Sequence, residues 1–199
     1  METDRKKIHD YWTRPWDGSN APAFYLSGAE KSRFLIGVVK PLITAESALL
    51  EVGCNVGRNL NALYGQGFTN LAGIEISADA LALMAQNFPE IANKATIHNC
   101  SVEDCIKAIP SGSIDMVYTM AVLEHIHTDS EWVFAEMVRI SRGYVVTIED
   151  EVCLTWRHFP RKYKEVFEGL GMKQVSCVKG DKIKGLGKSF YGRVFKKGQ

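Results

Sequence analysis

From residue 48 onward, short apolar runs alternate with helical patterns at a steady interval. The runs are Ala48–Val52, Leu71–Ile76, Ala95–His98, Ile114–Thr119 and Tyr144–Ile148. Between them, apolar residues recur at helical spacing over Asn59–Gln66, Ala78–Phe88, Val102–Ile109 and Ser130–Ser141. Strand and helix in turn, with short connections, predict a parallel sheet covered by helices on both faces. The first run is apolar almost throughout, as a strand buried on both faces should be. Upstream, residues 3–14 predict a helix stopped by Pro15, then a Pro/Gly/Asn/Asp loop over 15–22. A second helix is predicted over Ala29–Leu42, with Phe34, Leu35, Val38, Val39 and Leu42 on its apolar side. Downstream the rhythm changes. A helix over Pro160–Leu170 is followed by two strands, Met172–Val178 and Ser189–Phe195, joined by a Gly/Lys-rich loop, which reads as an antiparallel hairpin. The expected architecture is α/β: a mostly parallel, seven-stranded sheet with helices on both faces and a C-terminal antiparallel hairpin. Residues 1–45 read as a helical, aromatic cap and residues 46–199 as the core.

A chain of 199 residues fits one domain. No apolar run approaches the roughly 20 residues of a membrane span, and residues 1–7 are charged where a signal peptide would be apolar. Five scattered cysteines without a C-x-x-C pair read as reduced thiols of a cytoplasmic protein, not as a disulfide framework or zinc site. The formal net charge of +1 gives no reason to expect nucleic acid or a membrane as partner. The charge is unevenly spread, however: from Arg157 onward there are twelve Lys/Arg against three Asp/Glu. That stretch is either a solvated basic face or a rim that steers an anionic substrate.

The candidate chemistry starts where the first strand meets its helix, at Leu49-Leu-Glu-Val-Gly-Cys-Asn-Val-Gly-Arg-Asn59. A turn there, at the carboxyl edge of an open sheet, is where nucleotide-like ligands bind. Gly53 and Gly57 allow a sharp turn and close backbone approach to a ligand. A dinucleotide site would need G-x-G-x-x-G, but the second and third glycine positions hold Asn55 and Arg58. About 20 residues on, Glu75 stands at the end of the second strand, where a carboxylate can accept both ribose hydroxyls; otherwise it is a capping or solvated acid. Ser101 with Asp104 resembles a capping box.

E-x-G-x-N-x-G at Glu51–Gly57 resembles motif I of class I S-adenosylmethionine-dependent methyltransferases, usually E/D-x-G-x-G-x-G. Gly73-Ile-Glu75, Asn99-Cys-Ser101-Val102-Glu-Asp104 and the stretch from Ile114 to Ile126, with Val122-Leu-Glu-His125, resemble that family's later motifs in order. The resemblance covers about residues 48–150. It implies a Rossmann-like fold and S-adenosylmethionine as cofactor. Glu51, Gly53, Asn55 and Gly57 would hold its amino-acid end, Glu75 the ribose, and Ile76, Ser101 and Val102 the adenine. Thr119 and Met120 would lie under the sulfonium. Asn55 replaces the family's middle glycine, a substitution that Asn's tolerance of positive φ permits.

Some members of this superfamily hold a divalent ion with E-x-x-E-H. Here Ala121 stands at the first position, and Glu124 with His125 cannot bind an ion without a further ligand, so no metal is expected. His125 is the candidate general base, or a histidine simply packed beside the cofactor. Alignment of the nucleophile with an electrophilic methyl can supply most of the acceleration without a base. The acceptor, a small molecule, would meet Tyr11, Trp12 and Trp16 from the N-terminal region and Glu149, Arg157 and His158 from beyond the fifth strand. The N-x-G-x-N loop and the Arg-His-Phe segment are also similar to methylases associated with pseudaminic acid biosynthesis, which implies an anionic or sugar-like acceptor. The alternatives are a catalytically silent cofactor-binding subunit and an aminopropyl transferase; the basic C-terminal stretch suits the second poorly.

Overall fold

The computed structural model describes residues 4–15 and 18–198. Strands β1 (Leu49–Val52), β2 (Leu71–Glu75), β3 (Thr96–Asn99), β4 (Ile114–Met120), β5 (Ser141–Asp150), β6 (Met172–Lys179) and β7 (Phe190–Lys197) form one sheet in the order β3-β2-β1-β4-β5-β7-β6. The first five are parallel, and β7 inserts antiparallel between β5 and β6. Strand order reverses between β1 and β4, which opens a crevice at their carboxyl ends. This is the expected seven-stranded, mostly parallel sheet with its antiparallel C-terminal hairpin.

The helices are α1 (Arg5–Thr13), α2 (Ala29–Val39), α3 (Arg58–Tyr64), α4 (Ala78–Asn87), α5 (Pro89–Lys94), α6 (Val102–Cys105), α7 (Trp132–Ile140) and α8 (Tyr163–Gly169). Two apolar cores lie on the two faces of the sheet. Leu50, Val52, Val117, Phe134, Met137 and Phe195 belong to one, and Leu35, Leu49, Leu60, Met84, Met116 and Ile148 to the other. Successive residues Leu49 and Leu50 enter opposite cores, as strand geometry requires. Leu35 and Val39 of α2 are buried in the second core, so α2 belongs to the helical layer while α1 lies across the crevice.

Three local departures from the sequence expectation have simple causes. Proline cannot continue α4, so Pro89 instead occupies the first turn of a separate helix, α5. No loop separates α7 from β5, because Ser141 both caps the helix and opens the strand. Cys100 and Cys105 come together across the start of α6, with Cα atoms 6.3 Å apart. The composition argument could not see that the turn at Ser101 brings these two side by side. Among the described residues no helix is long and apolar enough to cross a membrane.

Candidate functional site

The β1–α3 turn is built from three residues in the left-handed region at alternate positions: Gly53 (φ 72°), Asn55 (φ 47°) and Gly57 (φ 71°). Asn55 adopts the conformation that motif I usually gives to glycine. Its Oδ1 accepts from Val56 N at 2.9 Å, which offsets part of the strain. The reason for the glycines is sharper than ligand approach. A Cβ on Gly53 would lie 2.4 Å from Val122 Cγ2, and one on Gly57 would lie 2.7 Å from Met84 Sδ. Gly53 and Asn55 line the crevice, whereas Gly57 turns away from it and seats α3 against α4.

Behind the turn runs a buried polar chain. Ser32 Oγ donates to Asn59 Oδ1 (2.8 Å), and Asn59 Nδ2 donates to Glu51 Oε1 (2.7 Å). The hydroxyl of Tyr118 donates to Glu51 Oε2 at 3.2 Å. Burial pushes the Glu51 carboxyl up to about 8, against the two donors that favour its charge. Arg58, which the sequence reading passed over, reaches from α3 to the Tyr25 and Ser27 carbonyls (3.2 and 2.9 Å), fastening the N-terminal segment to the turn. The only hint in the sequence was a long cation directly after the second motif glycine.

Glu75 holds the turn from the other side. Its Oε2 accepts from Asn55 N and its Oε1 from Ser77 N, both at 2.8 Å. Each oxygen keeps lone pairs for a further donor. Ile76, Ser101 and Val102 continue the wall, and Ser101 caps α6 by accepting from Asp104 N at 3.2 Å. Glu51, Gly53, Asn55, Glu75, Ile76, Ser101, Val102 and Met120 thus share one crevice.

Thr119 does not join them. It is fully buried beside Glu149 on the other side of β4, while Met120, next along the strand, faces the crevice. Strand alternation puts only one of the pair there. Glu149 is likewise not at the acceptor end: fully buried, it accepts from Val122 N and Leu123 N (both 2.8 Å). It braces the turn that Ala121, at φ 56°, begins. Glu124 lies beside it, and burial plus this like-charged neighbour pushes Glu124 well above the carboxylate range, so the pair keeps a proton.

Ile8, His9 and Trp12 of α1 line the crevice, and residues 156–158 pack against Tyr11 and His125. The Trp12 ring lies 4.4 Å from the His125 ring, which lies 4.6 Å from the His158 ring. Tyr11 packs edge-on against Trp12 and Trp156, and the Arg157 guanidinium sits 5.1 Å from the Tyr11 ring. Tyr11, Trp12, His125, Arg157 and His158 therefore form one cluster, of which Trp12 and His125 line the crevice; Trp16 lies outside the described residues. His9 ties α1 down through Glu103 at 3.1 Å. His125 Nδ1 donates to the Arg157 carbonyl (2.9 Å), leaving the lone pair on Nε2. Burial lowers His125 to about 3, so the ring stays neutral and is a weak base. Trp12 Nε1 is buried with no hydrogen-bond partner among the described residues. The ligand that Glu124 and His125 lacked in the sequence is present in space: one donor atom each from Glu124, His125 and His158 lies within 4.8 Å of the others.

Residues 50–146 match a methyltransferase domain family. Among solved structures, the chain is similar to 1,6-didemethyltoxoflavin-N1-methyltransferase from Burkholderia thailandensis, solved with its namesake ligand and S-adenosylhomocysteine. The TM-score is 0.70 at 14% identity, over 98% of this chain and 87% of that one. Magnesium protoporphyrin IX methyltransferase from Synechocystis PCC 6803, with bound S-adenosylmethionine, gives 0.69 at 14%, over 100% and 99%. A [4+2]-cyclase, SpnF, gives 0.67 at 12%, over 83% and 81%, so the fold also hosts other chemistry. No curated protein matches the chain in sequence.

Proposed function

From the premise that residues 50–146 form a methyltransferase domain and the protein is a class I S-adenosylmethionine-dependent methyltransferase, we propose that it methylates a small anionic or sugar-like nucleophile, mainly by proximity and alignment. The cofactor supplies an electrophilic methyl group on a sulfonium. The residues present fit it. The Glu51 carboxylate would take its ammonium group, Glu75 its ribose hydroxyls with the lone pairs left over from Asn55 and Ser77, and Ile76 and Val102 would flank its adenine. Met120 and Ala121, at the middle of the crevice, stand between these groups and the aromatic end.

The observation that carries the acceptor reading is the make-up of that end. Trp12 and His125 line it, their rings packed on each other and on His158, with the Arg157 cation beside Tyr11. Flat aromatic faces suit the apolar faces of a sugar ring, and a guanidinium suits a carboxylate. The indole N–H of Trp12 offers a buried donor to an acceptor oxygen. Holding the nucleophile in line would supply most of the acceleration, with His125 Nε2 as proton acceptor only for a group that ionises easily.

The test is transfer of labelled methyl to a panel of sugar acids, hydroxy acids and their neutral counterparts, with products identified by mass. Preference for the anionic members, and a KM for them raised about tenfold in Arg157→Ala with unchanged S-adenosylhomocysteine affinity, is the expected result. Equal use of neutral acceptors by both proteins would defeat the proposal.

A further inference from the structure

Three side chains converge beside the crevice, which His125 lines, and each is held by a second partner. One ligand atom each from Glu124, His125 and His158 lies within 4.8 Å of the other two. His125 Nδ1 donates to the Arg157 carbonyl at 2.9 Å, and His158 Nδ1 lies 2.6 Å from Thr155 Oγ1. Glu124 Oε2 accepts from Asp150 N at 2.7 Å. Imidazoles that bind metal commonly fix one ring nitrogen on a carbonyl or similar group and turn the other to the ion.

The geometry points to a site for one divalent transition-metal ion, held by Glu124, His125 and His158. Two imidazole nitrogens and one carboxylate suit zinc, manganese or iron, whereas magnesium and calcium prefer oxygen ligands throughout. Metal–ligand bonds of about 2.0–2.1 Å put tetrahedral ligands roughly 3.4 Å apart. His158, half-buried in the irregular 151–159 segment, closes the remaining gap by turning its ring. Three protein ligands leave a coordination position open, as in catalytic metal sites. Because His125 also lines the crevice, an acceptor oxygen would fill that position and lose its proton more easily. This role rests on the methyl-transfer reading; the site itself does not.

Binding is therefore measured without cofactor or acceptor. Tag-free protein stripped with a chelator is titrated with zinc by calorimetry and with cobalt by visible absorption, with magnesium as competitor. The site predicts one equivalent bound, a cobalt ligand-field band, and no displacement by magnesium. His158→Ala, on the half-buried segment, and the isosteric Glu124→Gln should each weaken zinc at least about tenfold and abolish the band. Circular dichroism checks that each variant folds; should Glu124→Gln not fold, His158→Ala alone decides. No saturation at one equivalent, or a smaller loss in a folded variant, would overturn the site while leaving the methyltransferase assignment untouched.

Discussion

The Glu51 carboxyl couples cofactor binding to pH in a way that can be worked through. It is 2% exposed, receives hydrogen bonds from Asn59 and Tyr118, and titrates at about 8 instead of near its ordinary 4.5. Below pH 8 the free protein therefore carries a proton there. An ammonium group beside it favours the carboxylate, so binding releases that proton. Affinity should rise about tenfold per pH unit up to pH 8, a handicap of about 1.4 kcal/mol at pH 7. Above pH 8 the slope should flatten, because the carboxyl is then ionised in the free protein as well. The stability sign follows from the same shift. A carboxyl raised in the folded state contributes its full stability below 4.5 and loses it as pH climbs through 8, so free protein weakens across that window and bound ligand restores it. Calorimetry with S-adenosylhomocysteine at pH 6, 7 and 8, in buffers of different ionisation enthalpy, reads both affinity and proton release. Glu51→Gln should bind about 10–100-fold more weakly at pH 8 and lose the pH slope below it. Flat affinity with no proton release in the wild-type protein would refute the reasoning.

Gly57→Ala should cost about 2–3 kcal/mol in denaturant unfolding, from a left-handed alanine and the 2.7 Å overlap with Met84 Sδ. In a Met84→Ala background the cost should fall by about 1 kcal/mol, and strict additivity would show that Met84 is not the obstacle. Trp12→Phe keeps the ring beside His125 but removes a buried donor that has no partner among the described residues. Stability should hold, while the acceptor's KM rises about fivefold and S-adenosylhomocysteine affinity stays the same; a change in the latter would place Trp12 against the cofactor instead.

The crevice-lining turn was legible because its geometry is local. The Glu51–Gly57 turn lies within seven consecutive residues, and the positive φ of Asn55 follows from its side chain. Glu75 was found by its spacing from the turn, since β1 and β2 are adjacent parallel strands. What the sequence hid depends on side-chain direction or on distant pairings. Thr119 and Met120 are neighbours in a motif, but the pleat sends only Met120 to the crevice. Glu149 looked like substrate-contacting acid at a strand end, yet the left-handed turn at Ala121 brings two backbone N–H groups down onto it. His158 meets His125 only because the segment after β5 folds back over β4. The approach of Cys100 to Cys105 escaped a count of cysteines because it depends on one short turn.

The placement of α1 has a practical consequence for anyone handling the protein. This helix lines the crevice with Ile8, His9 and Trp12, tied down by His9 to Glu103 and by the stack of Trp12 on His125. Strand β7 runs the opposite way to β5, so its last residues, Lys196 and Lys197, lie beside Tyr144 and Ser141, remote from the crevice. A purification handle or reporter joined ahead of Asp4 would extend from this crevice-lining helix, whereas one joined after Lys197 would leave from the far end of the strands. Surface immobilisation, fluorescent labelling and library display are best anchored there.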